Sequence, residues 1–391
     1  MVIDGKVLRN IQMNKEQYVL RCHRYSITPP KDDKSRWRTN VLDSNGKRKT
    51  IRTATYEGLI NKLYEFYSVD TSIRQMTLQG LFSEWLPYKE CITDSPNTIR
   101  RHEQHWNKYF SSWSDRLVSS YNKLELQKQC NLLVKEFNMS SKEWQNVKTI
   151  LSGMFQYAYD KNYIDSNFMN DVKITVKFRQ VNKKSGTSET FQTAERDLLM
   201  HYFDTAYIQT GDSVYLALKL DFYLGLRVGE LSTLKWCDVI SLKDLHVCRE
   251  EIKRSERTES GWKDVFEVVE HTKTHTDRVV PLAPSAIALL NELRLKSGTI
   301  SDDGYIFVRD GVRITSRQIT YALEKACDKC NIKVKRTHKI RKTVASTLNA
   351  NGVPTDAIRE MLGHSNLETT MGYIYNPLSE RETYQLISKA L

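Results

Sequence analysis

The C-terminal half of this chain carries five short clusters rich in cations, histidine and tyrosine. In order they are Leu224-Gly225-Leu226-Arg227-Val228-Gly229-Glu230-Leu231, Thr272-Lys273-Thr274, His338-Lys339-Ile340-Arg341-Lys342-Thr343, Leu362-Gly363-His364 and Thr369-Thr370-Met371-Gly372-Tyr373. These residue types suit chemistry at a phosphodiester. An attacking oxygen creates a five-coordinate phosphorus whose non-bridging oxygens carry negative charge, so fixed donors must be aimed there. Arginine is the best such donor, because its guanidinium is always charged and offers a planar, two-pronged face that lysine lacks. Arg227 and Arg341 are assigned that role, His364 is a further donor to the same oxygens, and Gly225 permits a tight approach ahead of Arg227. Tyr373 is the candidate nucleophile. Tyrosines ordinarily hold their proton up to about pH 10, so such a nucleophile depends on neighbouring cations.

Other chemistries lack their signatures. The chain has no GxxxxGK[ST] phosphate loop, no GxSxG elbow and no HExxH, so nothing calls for ATP or zinc. Cys327 and Cys330 form its one CxxC, inside the helical pattern YALEKACDKC and without a second pair at zinc spacing. They are expected to be plain helical cysteines, with no metal and no cofactor.

Holding such groups in place requires packed domains, and the composition allows them. With 40% hydrophobic residues, 16 Gly and 8 Pro in 391 positions, the chain is neither disordered nor collagenous. Its length predicts two or three domains. Lys and Arg number 59 against 47 Asp and Glu, a formal charge of +12, which points to a polyanionic partner such as nucleic acid. The N-terminus has no signal-peptide pattern and no apolar run approaches the ~20 residues that span a bilayer. Seven cysteines, an odd number, do not form a disulfide framework. An intracellular, cytoplasmic protein is expected.

Four segments follow from pattern and charge. Residues 1–75 hold 15 Lys and Arg against 8 Asp and Glu. There, Arg36 to Val41 and Lys49 to Ala54 flank Asp43-Ser44-Asn45-Gly46, a hairpin signal, and a helix bearing Leu59, Leu63, Phe66 and Tyr67 follows. Arg36, Trp37, Arg38, Lys47, Lys49 and Arg52 are candidate DNA contacts, with the Trp placed on the outer face of the hairpin. Residues 76–175 have helical spacing: one face of Leu78, Leu81, Phe82, Trp85 and Leu86 ends near Pro87, a second helix starts at Ser95-Pro96-Asn97, and Ser141 caps a third with a stripe from Trp144 to Ala158. Residues 176–190 lack periodicity and form a linker. Residues 191–391 are mostly helical, with strands at Leu245–Ile252, Val265–Thr272 and Arg278–Leu282 forming a small antiparallel sheet.

The five clusters in this order, with His338 three residues before Arg341 and Tyr373 nine after His364, resemble the tyrosine recombinases, the integrases of phages and conjugative transposons. The resemblance spans residues 190–376; the helical segment is similar to that family's core-binding domain, and the basic hairpin to the arm-site-binding domain of some members. It implies a mainly α, multidomain fold with an α+β catalytic domain, and a bacterial, DNA-associated enzyme that integrates or excises a mobile element. Tyr373 would then attack the scissile phosphate to give a 3′-phosphotyrosyl enzyme and a free 5′-hydroxyl, consuming no nucleotide. His338 would accept a proton or bond the phosphate, Lys273 would protonate the leaving oxygen, and Glu230, one turn after Arg227, would orient that arginine. Double-stranded DNA, a homotetramer with exchanged C-terminal tails, and an excisionase or DNA-bending protein are the implied partners; no membrane is. Lys263 and His275 compete with Lys273, and Tyr375 with Tyr373. Lys342 stands where many members have a second histidine. The same chemistry would also fit a type IB topoisomerase, and the same fold a non-catalytic DNA-binding regulator derived from a recombinase.

Overall fold

A computed structural model describes residues 5–32, 35–42, 47–74, 76–164, 166–181, 185–241, 243–272, 276–296, 301–378 and 380–390. The chain divides into two compact units, Met1–Val181 and Asn182–Leu391.

The first unit begins with helix α1 (Gly5–Cys22), which the polar-rich sequence there did not signal. The antiparallel strands β1 (Trp37–Leu42) and β2 (Arg48–Thr53) follow, then α2 (Tyr56–Arg74). Val19 of α1 joins Val41, Leu59, Ile60 and Leu63 in a small core that rewards α1 for folding. The expected turn at Asp43–Gly46 lies outside the described residues. Strand periodicity sends Trp37, Thr39 and Val41 inward. Trp37 is therefore not on the outer face as expected: its ring packs on Tyr56, centroids 4.9 Å apart, because that is the apolar side available to it. The outer face presents Arg38 and Asn40, with Arg52 and Thr50 directly across and Arg48 beside them. Arg36, Lys47 and Lys49 are exposed.

Helices α3 (Leu78–Cys91), α4 (Pro96–Tyr109), α5 (Lys123–Glu136) and α6 (Ser141–Asp160) complete this unit. α3 runs through Pro87 instead of ending there. Pro87 and Ser83, whose carbonyl loses its partner, both face solvent, where water can take up the freed acceptor. The cap of α6 is Ser140, one residue earlier than expected, in a reciprocal box with Glu143. Its buried stripe is Trp144, Val147, Ile150, Leu151, Met154, Phe155 and Ala158.

The second unit is built around α9 (Val214–Leu224), nearly every residue of which is buried. A helix apolar all round must be surrounded, and α8 (Thr193–Thr210) and three later helices, α11 (Pro284–Lys296), α12 (Ser316–Lys329) and α13 (Thr337–Ala350), pack on it. The remaining elements, in chain order, begin with α7 (Gly186–Glu189), before α8, and α10 (Val228–Leu231). Next come strands β3 (Val239–Ile240), β4 (Asp244–Val247), β5 (Glu250–Thr258), β6 (Gly261–Val269) and β7 (Arg278–Pro281). After them run α11 (Pro284–Lys296), the short pair β8 (Val308–Arg309) and β9 (Val312–Arg313), α12 (Ser316–Lys329), α13 (Thr337–Ala350), α14 (Thr355–Leu362), α15 (Leu367–Met371) and α16 (Glu380–Ala390). The expected strand region is split. β3, β4 and β7 form one sheet, whereas β5 and β6 make a separate hairpin. The break falls at Cys248-Arg249, where Arg249 turns aside to Asp238 (2.6 Å) and Glu270 (3.1 Å).

At Gly153 α6 approaches α3 closely: a Cβ there would lie 2.7 Å from Trp85 Cζ2. Gly153→Ala gains helix propensity worth about 1 kcal/mol but overpacks against a buried indole, at about 1–3 kcal/mol. We expect net destabilisation, read as a lower thermal midpoint, whereas Gly153→Ala combined with Trp85→Phe restores part of it.

Candidate active site

Three arginines from three elements converge on the last carbonyls of α14. Arg278 Nε, at the start of β7, donates to Met361 O (2.8 Å), Arg341 Nη2 of α13 to Leu362 O, and Arg227 Nη2, just ahead of α10, to Gly363 O (3.1 Å). Helix-terminal carbonyls have no intrahelical partner and carry partial negative charge, so they hold cations well. Glu230 lies behind the arginines with no exposed surface. It accepts two bonds from Arg278 (3.0 and 2.6 Å) and one each from Arg227 Nη1 (2.6 Å) and Arg227 N (2.9 Å). Burial alone would raise the Glu230 pKa, but the arginines, Arg278 foremost, overcome it and hold the carboxyl at about 2.

Arg341 is 2% exposed. Its Nη1 donates to Gly225 O (2.9 Å), while its Nε is buried without a hydrogen-bond partner among the described residues. Burial lowers its pKa to about 10 against the pull of Glu230, leaving the guanidinium charged at neutral pH. Gly225 closes α9 at φ +64°, and a Cβ there would meet Val344 Cβ at 3.0 Å. A tight turn and a close approach thus both require glycine.

His364 follows Gly363, which ends α14 at φ +64°. A Cβ at Gly363 would lie 3.0 Å from Arg278 Cδ, so the turn is compatible only with glycine. His364 is buried. Its Nδ1 pairs with Thr370 Oγ1 (2.9 Å), and its Nε2 has no partner among the described residues. Burial, followed by the charges of Arg341, Arg227 and Arg278, lowers it to about 4. His338 reaches about the same value, through partial burial and then Lys342, Arg341 and Lys339, while part of its ring meets solvent. Both imidazoles are neutral at pH 7.

Tyr373 stands between these histidines. Its ring centroid is 4.5 Å from that of His364 and 5.0 Å from that of His338, edge-on in both cases. Half-buried, it packs on the small core of Ala345, Ile358 and Leu362. The structure therefore brings Arg227, Arg341, His338, His364, Glu230 and Tyr373 together. Lys273 and its competitor His275 lie outside the described residues. The flanking Thr272 Oγ1 donates to Thr276 O (2.9 Å). Lys263 is exposed on β6. Among the described residues one set of metal-capable donors, Asp238, His246 and Cys248, lies within 4.8 Å, but Asp238 is already neutralised by Arg249.

Residues 189–380 match the model of the phage integrase family. This segment is a phage integrase domain. Among curated relatives, a tyrosine recombinase XerC-like protein of Caldanaerobacter subterraneus subsp. tengcongensis is 27% identical over 354 residues, covering 86% of this chain and 88% of that one. A prophage ps2 probable integrase of Lactococcus lactis is 26% identical over 61% of this chain and 64% of its own length. Among solved structures, the Tn1549 transposon integrase in complex with a circular intermediate DNA aligns with a TM-score of 0.57 at 19% identity, over 81% of this chain and all of that one. A lambda integrase dimer bound to a core site aligns at 0.56 and 13% identity, over 90% and 97%. The integrase is a site-specific DNA breaking and rejoining enzyme.

Sequence reasoning missed Arg278, which the integrase uses as a second partner for Glu230. The available signal was its phase in β7: it shares a strand face with Val280, which is buried, and an arginine on a buried face needs an anion. Thr370, which holds His364, gave no signal of its own.

The neutral histidines predict an acid-sensitive fold. An unfolded histidine titrates near 6.5, so between about pH 6.5 and 4 the unfolded chain binds more protons and stability falls as pH falls. For buried His364 the slope approaches about 1.4 kcal/mol per pH unit. Glu230 and Glu189, held at about 2, add their losses only below the ordinary carboxylate range. Urea unfolding at pH 5.0, 6.0 and 7.0 should show this decline, and His364→Gln should flatten it.

Proposed function

We propose that Tyr373 is the nucleophile of strand cleavage, that Arg227, Arg341 and His364 bind the non-bridging oxygens, and that Lys273 protonates the leaving group. In the cleavage step the Tyr373 phenolic oxygen gives up its proton and forms a bond to phosphorus. The P–O5′ bond breaks, and the 5′-oxygen takes up a proton from Lys273. Nothing is oxidised or reduced, and the new phosphotyrosyl ester conserves the energy of the old bond for rejoining. His338, neutral and beside the Tyr373 ring, is placed to accept the phenolic proton. We assign the Nδ1–Thr370 hydrogen bond to a hydroxyl donor, so that His364 carries its proton on Nε2 and donates from there.

The observation that supports this reading is the convergence of three cations, two neutral imidazoles and one tyrosine around the end of α14. Double-stranded DNA is the substrate. The outer face of β1 and β2, with Arg38, Arg48 and Arg52, together with exposed Arg36, Lys47 and Lys49, is proposed as a second DNA-binding surface. Helix α16 leaves Tyr384, Leu386 and Ile387 largely exposed. An apolar side of that kind is suited to dock on a neighbouring protomer, which supports a homotetramer assembled through exchanged tails on DNA. An excisionase or DNA-bending protein would act at the same sites.

The test is a nicked suicide duplex carrying the attachment site. Wild type should form a denaturation-resistant protein–DNA adduct, Tyr373→Phe none, and Tyr375→Phe an adduct at near wild-type yield. Loss of the adduct in Tyr375→Phe alone would transfer the nucleophile to Tyr375. Arg227→Ala and Arg341→Ala should slow cleavage by roughly 10²-fold or more while DNA affinity changes far less.

A further inference from the structure

One side of α13 faces the tyrosine segment with more than the two proposed catalytic residues. His338, Lys342 and Ser346 recur at intervals of four and share a helix face. Ser346 Oγ donates to Tyr373 O (3.2 Å) and accepts from Tyr375 N (3.0 Å), fixing the backbone on both sides of Ile374. The Lys342 ammonium lies over both rings, 5.6 Å from the centroid of Tyr373 and 5.1 Å from that of Tyr375. A cation over an aromatic face is attracted by the ring quadrupole, so Lys342 restrains how each ring turns.

Lys342 is itself restrained. It is 5% exposed, and its Nζ bonds Glu189 Oε2, while Lys339 Nζ bonds Glu189 Oε1. Glu189 is equally buried and stays ionised at about 2 despite that burial, because the two lysines hold it. Both its oxygens are engaged, which leaves the carboxylate little room to turn. Glu189 ends α7, whose first residue, Gly186, packs so closely on the segment after the tyrosines that a Cβ there would lie 2.4 Å from Asn376 O. The Tyr373–Asn376 segment thus lies against α13 along one side and against α7 at its end.

We propose that Lys342, anchored by Glu189, is a positioning residue for the nucleophile: it sets the ring orientation from which the Tyr373 hydroxyl reaches the phosphate. This rests on Tyr373 being the nucleophile. The buried pair spans α7 and α13, so the start of the second unit and the nucleophile segment are fixed to one helix.

The experiment measures single-turnover cleavage of a suicide duplex at saturating DNA, with DNA affinity and thermal midpoint measured in parallel on the full chain. Lys342→Met and Glu189→Gln should each slow cleavage roughly ten- to a hundredfold, the range that a displaced reacting group produces. DNA affinity should remain within about threefold of wild type, a separation that a loss of folded protein does not give. The double variant should be no slower than the slower single one, because the two residues act as a unit. Lys335→Met serves as the stability control. Lys335 is as buried, bonds Thr190 O (2.9 Å) and Glu195 (2.5 Å), and touches neither tyrosine. It should lower the midpoint without slowing cleavage. Wild-type cleavage rates in both Lys342→Met and Glu189→Gln would overturn the proposal, as would equal slowing in Lys335→Met. Retained cleavage in Tyr373→Phe would instead overturn the nucleophile assignment on which the proposal rests.

Discussion

Much of the site depends on one buried carboxylate. Glu230 has no exposed surface and holds Arg227 and Arg278 with four hydrogen bonds, one of them from the backbone. An ionised carboxylate in such a place is unfavourable unless fully paired, and removal of one partner from a buried pair is typically worth about 3–5 kcal/mol. The pairing works in both directions. Without Glu230, guanidinium groups would be packed side by side in a poorly solvated pocket, and their mutual repulsion would drive them toward solvent. The carbonyls at the end of α14 supply the remaining negative potential without adding a second full charge. The local balance stays positive, which is the sign an incoming phosphate requires.

Much of this was readable from residue types. Arg227, Arg341, His364 and Tyr373 stand out because arginine, histidine and tyrosine recur at fixed offsets beside glycines that permit tight turns, and the structure gathers them. Long-range partners were not readable. Arg278 and Glu189 are 48 and 153 positions from the groups they hold, Glu230 and Lys342, and nothing in their local sequence names the partner. Burial was misjudged in the N-terminal hairpin for a related reason. Period-two alternation puts Trp37 on the face opposite Arg38, but which face is inward is decided by α2, which packs on the hairpin and whose Tyr56 receives the indole.

Helix boundaries illustrate the same division between local and tertiary causes. The stripe of α6 is a local pattern and was read in full, whereas its cap shifted by one residue between two adjacent serines, because Ser140 is the one that Glu143 can reciprocate. α3 passes through Pro87 although its last buried residue is Leu86, because the acceptor that the proline frees belongs to Ser83 on the exposed side, where water can pair it. The strand region was read as continuous across Cys248 and Arg249, where an ion-pair network involving Asp238 and Glu270 turns the chain out of one sheet and into a separate hairpin.

Gly363 links these observations. Its left-handed backbone aims His364, and the space a side chain would fill is occupied by Arg278, which is itself bound to Glu230. A side chain at position 363 would displace Arg278, so the turn that carries the histidine and the seating of that arginine on Glu230 are coupled. The groups gathered at the end of α14 are therefore not independent of one another. In such an arrangement the contribution of each residue has no independent value: the first substitution removes most of the function, and later ones find little left to remove.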